Sequence, residues 1–530
     1  MGAKWTGPLG RWLRGSSACV LSAAHVLLNR SHPHHASTQL VPLARSGRGL
    51  PAARARALRE RIRLESGSAS VDPERWRRAL DDLLGALDAR LGGLPTPPPP
   101  DVVAASVEAF TLAFHPLVHQ GGGISPLVGD PEGFGALLDA HPVMARLGGS
   151  PASAGAAPVG SGDRGTRAGG CHRLLVLTDT NLAFMGALLD HWRDRPDLEV
   201  RARDLAAEGL DPTWWSLRAT VADRLGGETP TVPDFLAADL DWADTVWVEW
   251  GGALAARLSG CDLDARLLVR LHRYEAFTAY PRLTRWEGVD RLVLVSDLVE
   301  RALARAVPGI DGRTSISVVP NVWDLSRYRL PKRGGAGHTL ALIGWDRPVK
   351  DPDWALDVLD RLRAVDPRWR LLLVGACPAP GSDAPTRRWT RALADRVRSL
   401  GPAVVRTGFS DDVPEVLRGA SVVVSSSLVE SAHLALQQGV ASGCLPVVRD
   451  WPGMRALGGP RALYPGTWIV TTPDEGARRI LDASASPRAA LHGAADTGEA
   501  TEASDWVLDH LDAPHVLPLL DAVLSGEGPR

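Results

Sequence analysis

VVVSSSLVESAHLALQQGVASGCLPVVRD, residues Val422 to Asp450, reads as one unit. It contains a buried strand, a polar turn with one carboxylate, a helix, a glycine break and a second buried strand. Val422, Val423 and Val424 form a β-branched run without alternation, as in a parallel strand covered on both faces. Ser425 to Ser427 end it, and Glu430 with Ser431 stands where the helix is expected to begin. Ser442-Gly443 closes that helix before Leu445-Pro-Val-Val448. In open parallel sheets, ligands bind outside the carboxyl ends of the strands, where helix N-termini point free N–H groups at anions. Glu430 is predicted to lie at such an end.

Working outward, the 530 residues leave room for about three domains. A hydrophobic share of 45% describes a globular chain with sizeable cores. The net charge of −2 gives no general attraction to nucleic acid or anionic membrane. The 5 cysteines are scattered with no C-x-x-C pair, which favours reduced thiols and a cytoplasmic location. No stretch is read as reaching the ~20 apolar residues of a bilayer span.

Residues 1–70 are weakly patterned and expected to be disordered. Ala18 to Leu28, after Arg11 and Arg14, resembles parts of a signal peptide, but His25 interrupts it and no clean cleavage site follows. Residues 71–170 read as a helical extension and linker: Trp76, Leu80, Leu83, Leu84, Leu87 and Leu91 recur at helical spacing behind Asp72-Pro73. Strands and helices then alternate, as in a doubly wound parallel sheet. The first such domain spans 171–333. A hinge at Pro331 to Gly337 introduces a second over 334–485, and 486–530 supply a linker and closing helices. The expected architecture is α/β, two Rossmann-like domains facing each other across a cleft, the default binding site.

Three predicted strand ends bring polar groups to that cleft. They are His272-Arg-Tyr-Glu275, Gly344-Trp-Asp-Arg-Pro-Val-Lys350-Asp351, and Glu430 with its helix. Lys350 and Arg347 precede a helix, and their charges add to its N-terminal field, which suits a pyrophosphate and charge on a leaving phosphate. Glu430 suits sugar hydroxyls. Gln438, eight residues on, is expected about two helical turns away on a similar face. His433, on the predicted first turn, faces either ligand or surface. The D-x-D triplets do not follow apolar strands as metal-chelating carboxylates would, so no metal is assigned. Neither a G-x-G-x-x-G after the strand at Arg173 nor a G-x-x-x-x-G-K-[ST] is present, which argues against a dinucleotide oxidoreductase and a P-loop NTPase.

The order of these elements resembles the GT-B glycosyltransferases, specifically retaining family 4. Gly344-x5-Lys350, Leu373-Val374-Gly375, Gly408-Phe409-Ser-Asp-Asp-Val413, Ser427-x-x-Glu430 and Ala441-Ser442-Gly443-x-x-Pro446 carry the resemblance, with Pro320-Asn321-x-x-Asp324 at the crossover. The resemblance implies that Lys350 binds the donor diphosphate from the loop opened by Gly344. It also implies that Glu430 and His272 meet the donor sugar, and that Gly375 and Gly408-Phe409 line the base pocket. Four places depart from the pattern. Trp345 replaces the motif Arg, leaving Arg347 as a substitute, and Gln438 replaces the second Glu of Glu-x7-Glu. Ser431-Ala432-His433 replaces Gly-Phe-Gly beside the donor, and Asp179 to Gly186 replaces a glycine-rich acceptor loop.

The implied activity is retaining, metal-independent transfer of a sugar from a nucleotide-diphosphate sugar to an acceptor that is a glycan, a lipid or a small molecule. The nucleotide sugar is a substrate, and no separate cofactor is expected. Peripheral membrane contact is common among such enzymes, but no amphipathic basic helix supports it here. The alternatives are a catalytically impaired GT-B protein that binds a nucleotide sugar or glycan, and a GT-B sugar-nucleotide epimerase or hydrolase.

Overall fold

The computed structural model describes residues 20–22, 24, 33–66, 72–120, 123–148, 171–380, 384–485 and 498–527. The stretches read as linker, 150–170 and 486–497, and most of the run that resembles a signal peptide lie outside them.

Among the described residues, mostly apolar β-branched and leucine runs form twelve parallel strands in two sheets. The first contains β1 (His172–Thr178), β2 (Leu198–Asp204), β3 (Thr245–Glu249), β4 (Arg266–Leu271), β5 (Arg291–Leu294) and β6 (Ser315–Val318), in the order β2-β1-β3-β4-β5-β6. The second contains β7 (Thr339–Ile343), β8 (Arg370–Val374), β9 (Val404–Gly408), β10 (Val422–Ser425), β11 (Leu445–Arg449) and β12 (Ile469–Val470), in the order β12-β11-β10-β7-β8-β9. Each sheet therefore reverses direction once, between β1 and β3 and between β7 and β10. Such reversal points open crevices for ligands at the strands' carboxyl ends.

The closing helix Ala513–Ser525 returns to the first domain, where Val516, Leu520 and Val523 pack with Leu174, Val176 and Trp247. The helix Asp297–Ala306 grips the second domain. Arg301 Nη1 donates to Leu457 O (2.7 Å) and Arg305 Nη2 to Ala456 O (2.8 Å).

Two expectations need correction at the N-terminus. Within 1–70, residues 33–66 are not patternless: they form the helices Pro33–Ser46 and Gly49–Ser66, which bury Leu40, Leu58 and Ile62 between them. Their Ala/Arg-rich sequence gives little apolar periodicity, but alanine favours the helix intrinsically. Arg54 also anchors them to Glu108 of the extension at 2.6 Å. Second, Pro100–His119 is long and apolar enough to cross a membrane, although no such stretch was expected. Here 67% of its most apolar window is buried inside the fold. The expected helix at Trp76 spans Pro73–Asp88, with Asp72 accepting from Arg75 N as its cap.

Candidate active site

Lys350 follows β7 and Glu430 follows β10, so the second sheet's reversal point brings them together. Lys350 Nζ donates to Glu430 Oε1 at 2.5 Å, and Ser427 Oγ donates to the same oxygen at 2.8 Å. The two loops are also stitched through their backbones. Ser426 Oγ donates to Lys350 O (2.7 Å) and Leu428 N to Val349 O (2.8 Å). Arg449 ties Asp351 to Ser426 O, with 2.5 Å to the Asp351 carboxylate. The cation and carboxylate are thus positioned before any ligand arrives.

Burial works against the Glu430 carboxylate, but His433, Lys350 and Arg273 prevail and hold it well below the usual range. Burial also pulls His433 down to about 4, against the pull of Glu430, so its ring is neutral near pH 7. The positive charge facing Glu430 is then that of Lys350 and Arg273.

The helix expected from Glu430 starts later, at Leu434, because His433 takes a left-handed conformation with φ 54°. Glu430 therefore lies in a loop, and the premise that it shares a helix face with Gln438 falls. His433 is buried, and its Nδ1 lies 2.7 Å from Ser425 Oγ. That oxygen accepts from Trp451 Nε1 (3.0 Å), and among the described residues its own proton has no acceptor other than Nδ1, which places the imidazole proton on Nε2. Among the described residues Nε2 has no hydrogen-bond partner, and it lies 3.6 Å from Glu430. Ser431 and Gln438 are partly exposed nearby, and neither side chain makes a hydrogen bond within the described residues.

Gly344, Gly375 and Gly408 turn the ends of adjacent β7, β8 and β9 with positive φ, where a side chain would be strained. Gly375 lies close enough to Gly344 that a Cβ on it would meet the Gly344 backbone at 3.7 Å. Phe409, next to the last of these turns, is 78% exposed.

Arg347 does not enter the pair. Its side chain is 70% exposed, 3.9 Å from Asp346. Trp345, at the motif Arg position, is buried in the second domain's core with Leu340 and Trp354. The cation to which the sequence reading gives a place at the cleft but no role of its own is Arg273, directly after His272 on the first domain. It is half-buried, and its Nη1 is closed off from solvent without a partner. Burial lowers its pKa, with Glu430 and Glu275 opposing and Arg347 adding to the fall, so its charge is felt at Glu430. Its position after the β4 histidine was the available signal.

His272 stands at the end of β4. Its Nε2 lies 2.8 Å from Glu249 Oε1, and its backbone N donates to Glu275 Oε2 (2.9 Å). Burial pushes Glu249 up, but Arg270, His272 and the Trp247 N–H outweigh it. An ionised Glu249 accepts, so Nε2 carries the proton. The ring stacks on Trp250 at 4.1 Å.

Residues 337–485 match the family model described as Glycosyl transferases group 1. No curated protein matches the chain. Among solved structures, the chain is similar to HepE from Anabaena in complex with UDP and glucose. The identity is 14% and the TM-score 0.49, over 67% of this chain and 100% of that one. A variant O-GlcNAc transferase from Thermobaculum terrenum is similar at 16% identity and TM-score 0.44, over 99% and 98% of the two chains. The chain thus folds as two doubly wound six-stranded domains, and residues 337–485 of the second are similar to the Glycosyl transferases group 1 family.

Proposed function

We propose that the chain is a retaining, metal-independent glycosyltransferase of the family 4 type, working in the cytoplasm on a nucleotide-diphosphate sugar. The observation that carries this reading is the buried Lys350–Glu430 pair at the reversal point of the second sheet, faced by Arg273 from the first. The donor diphosphate lies against Lys350 and Arg273, with the sugar at Glu430 and the His433 Nε2–H. The C1–O bond to the diphosphate breaks, and the leaving group takes the electron pair. The two cations offset its charge, a role that a metal fills elsewhere. An acceptor hydroxyl forms the new bond to C1.

Retention is supported by the state of two of the site's three buried carboxylates, the third, Glu275, being tied to the His272 backbone N. Glu430 is locked to Lys350 and Glu249 to His272. Neither is free to act as nucleophile or base, so the acceptor proton goes to a departing phosphate oxygen on the face where the acceptor attacks.

The test is a transfer assay across a panel of nucleotide-diphosphate sugars. Turnover is expected for the wild type, with Glu430→Ala slower by at least ~100-fold. Donor binding without turnover, equal in both proteins, would replace this reading with that of a binding protein. Turnover without any acceptor would point to an epimerase or hydrolase.

A further inference from the structure

The helical extension touches more than the first domain. On that domain, Arg282 Nη1 donates to Asp139 Oδ1 of the extension (2.7 Å), and Arg146 Nη2 of the extension donates to Leu225 O (2.5 Å). Gln120 Nε2 reaches Tyr274 O (3.3 Å), the residue directly after Arg273. The extension also meets the second domain twice. The helix Gly49–Ser66 packs against the helix Ala384–Ser399, which follows β8, and the short helix Pro126–Gly129 packs against Pro452–Leu457, which follows β11. In the sheet, β8 and β11 flank the adjacent strands β7 and β10, which lead to Lys350 and Glu430. The chain N-terminal to the first domain therefore straddles the reversal point where the donor site is proposed.

The contact at Pro452–Leu457 leads on to the Glu430 loop. Arg305 bridges three parts of the chain. Its Nη1 donates to Val128 O of the extension (3.0 Å) and its Nη2 to Ala456 O of the second domain (2.8 Å). Leu127, Val128, Leu298, Val429, Met454 and Leu457 are buried in one apolar cluster that runs through the extension and both domains. Gly453 N donates to Leu428 O (2.9 Å), and a Cβ on Gly453 would meet Val429 Cγ2 at 2.5 Å. Val429 precedes Glu430, so the loop of the carboxylate rests on the segment against which the extension packs. Domains within a chain move relative to one another by default unless their interface is large and apolar, and here the extension supplies part of that apolar interface.

We infer that the extension is an interdomain strap, which ties the two domains across the crevice and sets the position of the 428–430 loop through Pro452–Leu457. The inference rests on the proposed donor site for its consequence, that a change inside the extension alters a site assembled from other parts of the chain. A helical domain merely appended to the first would leave Pro452–Leu457 indifferent to changes at Val128.

Hydrogen exchange read by mass spectrometry on the full-length protein tests the strap without ligand or turnover. It compares the wild type with Val128→Ala, which trims only the extension, and with Arg305→Met, which removes the three-way bridge. In both variants, exchange in peptides over 452–457 and 428–430 should rise by about tenfold, while β1, β3 and β8 keep wild-type protection. Arg305→Lys keeps the charge but lacks the fork that spans both carbonyls, and should fall between the wild type and Arg305→Met. The strap is overturned if Val128→Ala leaves 452–457 and 428–430 exchanging at the wild-type rate. It is also overturned if exchange rises uniformly through both sheets, as in a protein destabilised throughout. A nucleoside diphosphate added to the wild type should slow exchange over 428–430. No slowing, with the pattern of the variants intact, would count against the proposed donor site and leave the strap standing.

Discussion

His433 concentrates the unusual features of the site in one residue: a left-handed backbone, burial, a neutral ring and an unpaired Nε2–H beside Glu430. These features predict a pH dependence. As pH falls below the ordinary 6.5, the unfolded chain protonates this ring, whereas the folded chain holds it neutral to about 4. Stability is therefore fully present above the unfolded value and lost as pH falls towards the folded one, by roughly 3 kcal/mol in all. His433→Asn, which tolerates the left-handed backbone, should lose that slope. Denaturant unfolding of both proteins at about pH 7 and about pH 5 measures it. Equal slopes would mean that the ring is not held neutral. Lys350→Met leaves Glu430 buried without its nearest cation, and unfolding midpoints should show a loss of about 3–5 kcal/mol. A loss under about 1 kcal/mol would show that the pair is exposed and screened.

The helix Leu434–Ala441 depends on Gly439 to reach the sheet. A methyl there would collide with Val423 on β10, 2.6 Å from its Cβ. Gly439→Ala should therefore cost about 1–3 kcal/mol despite alanine's better helix propensity, and adding Val423→Ala should recover part of it. Unfolding midpoints of the single and double variants decide this, and no recovery in the double variant would place the strain elsewhere. At this scale the chain was largely legible. The apolar runs at Arg173, Thr245, Arg266, Thr339, Arg370 and Val422 each mark a strand. What escaped had a physical reason. Nothing in Glu430-Ser-Ala-His433 announces a left-handed residue, so the helix start was placed too early. Arg273 was placed at the cleft without a role because a cation gains its meaning from the opposing domain, which periodicity within one segment does not reveal.

Across the whole molecule, the Lys350–Glu430 pair comes from one domain and Arg273 from the other, so the proposed donor site is complete only when both are in place. Arg301 and Arg305 hold Leu457 and Ala456 across the same boundary and would keep them there. A bound nucleoside diphosphate should then stabilise the entire fold, by about 2.7 kcal/mol at a hundred times its Kd. The Trp345 change fits this proposal, since its side chain packs into the core and Arg273 of the first domain would supply the charge that the motif Arg carries. The most direct test is calorimetric titration of a nucleoside diphosphate, chosen by melting screen, into the wild type, Lys350→Met and Arg273→Met. A donor site shared by both domains predicts binding to the wild type and at least about tenfold weaker binding in each variant, ~1.4 kcal/mol apiece. Wild-type affinity in Arg273→Met would confine the site to the second domain, and wild-type affinity in both variants would contradict the account.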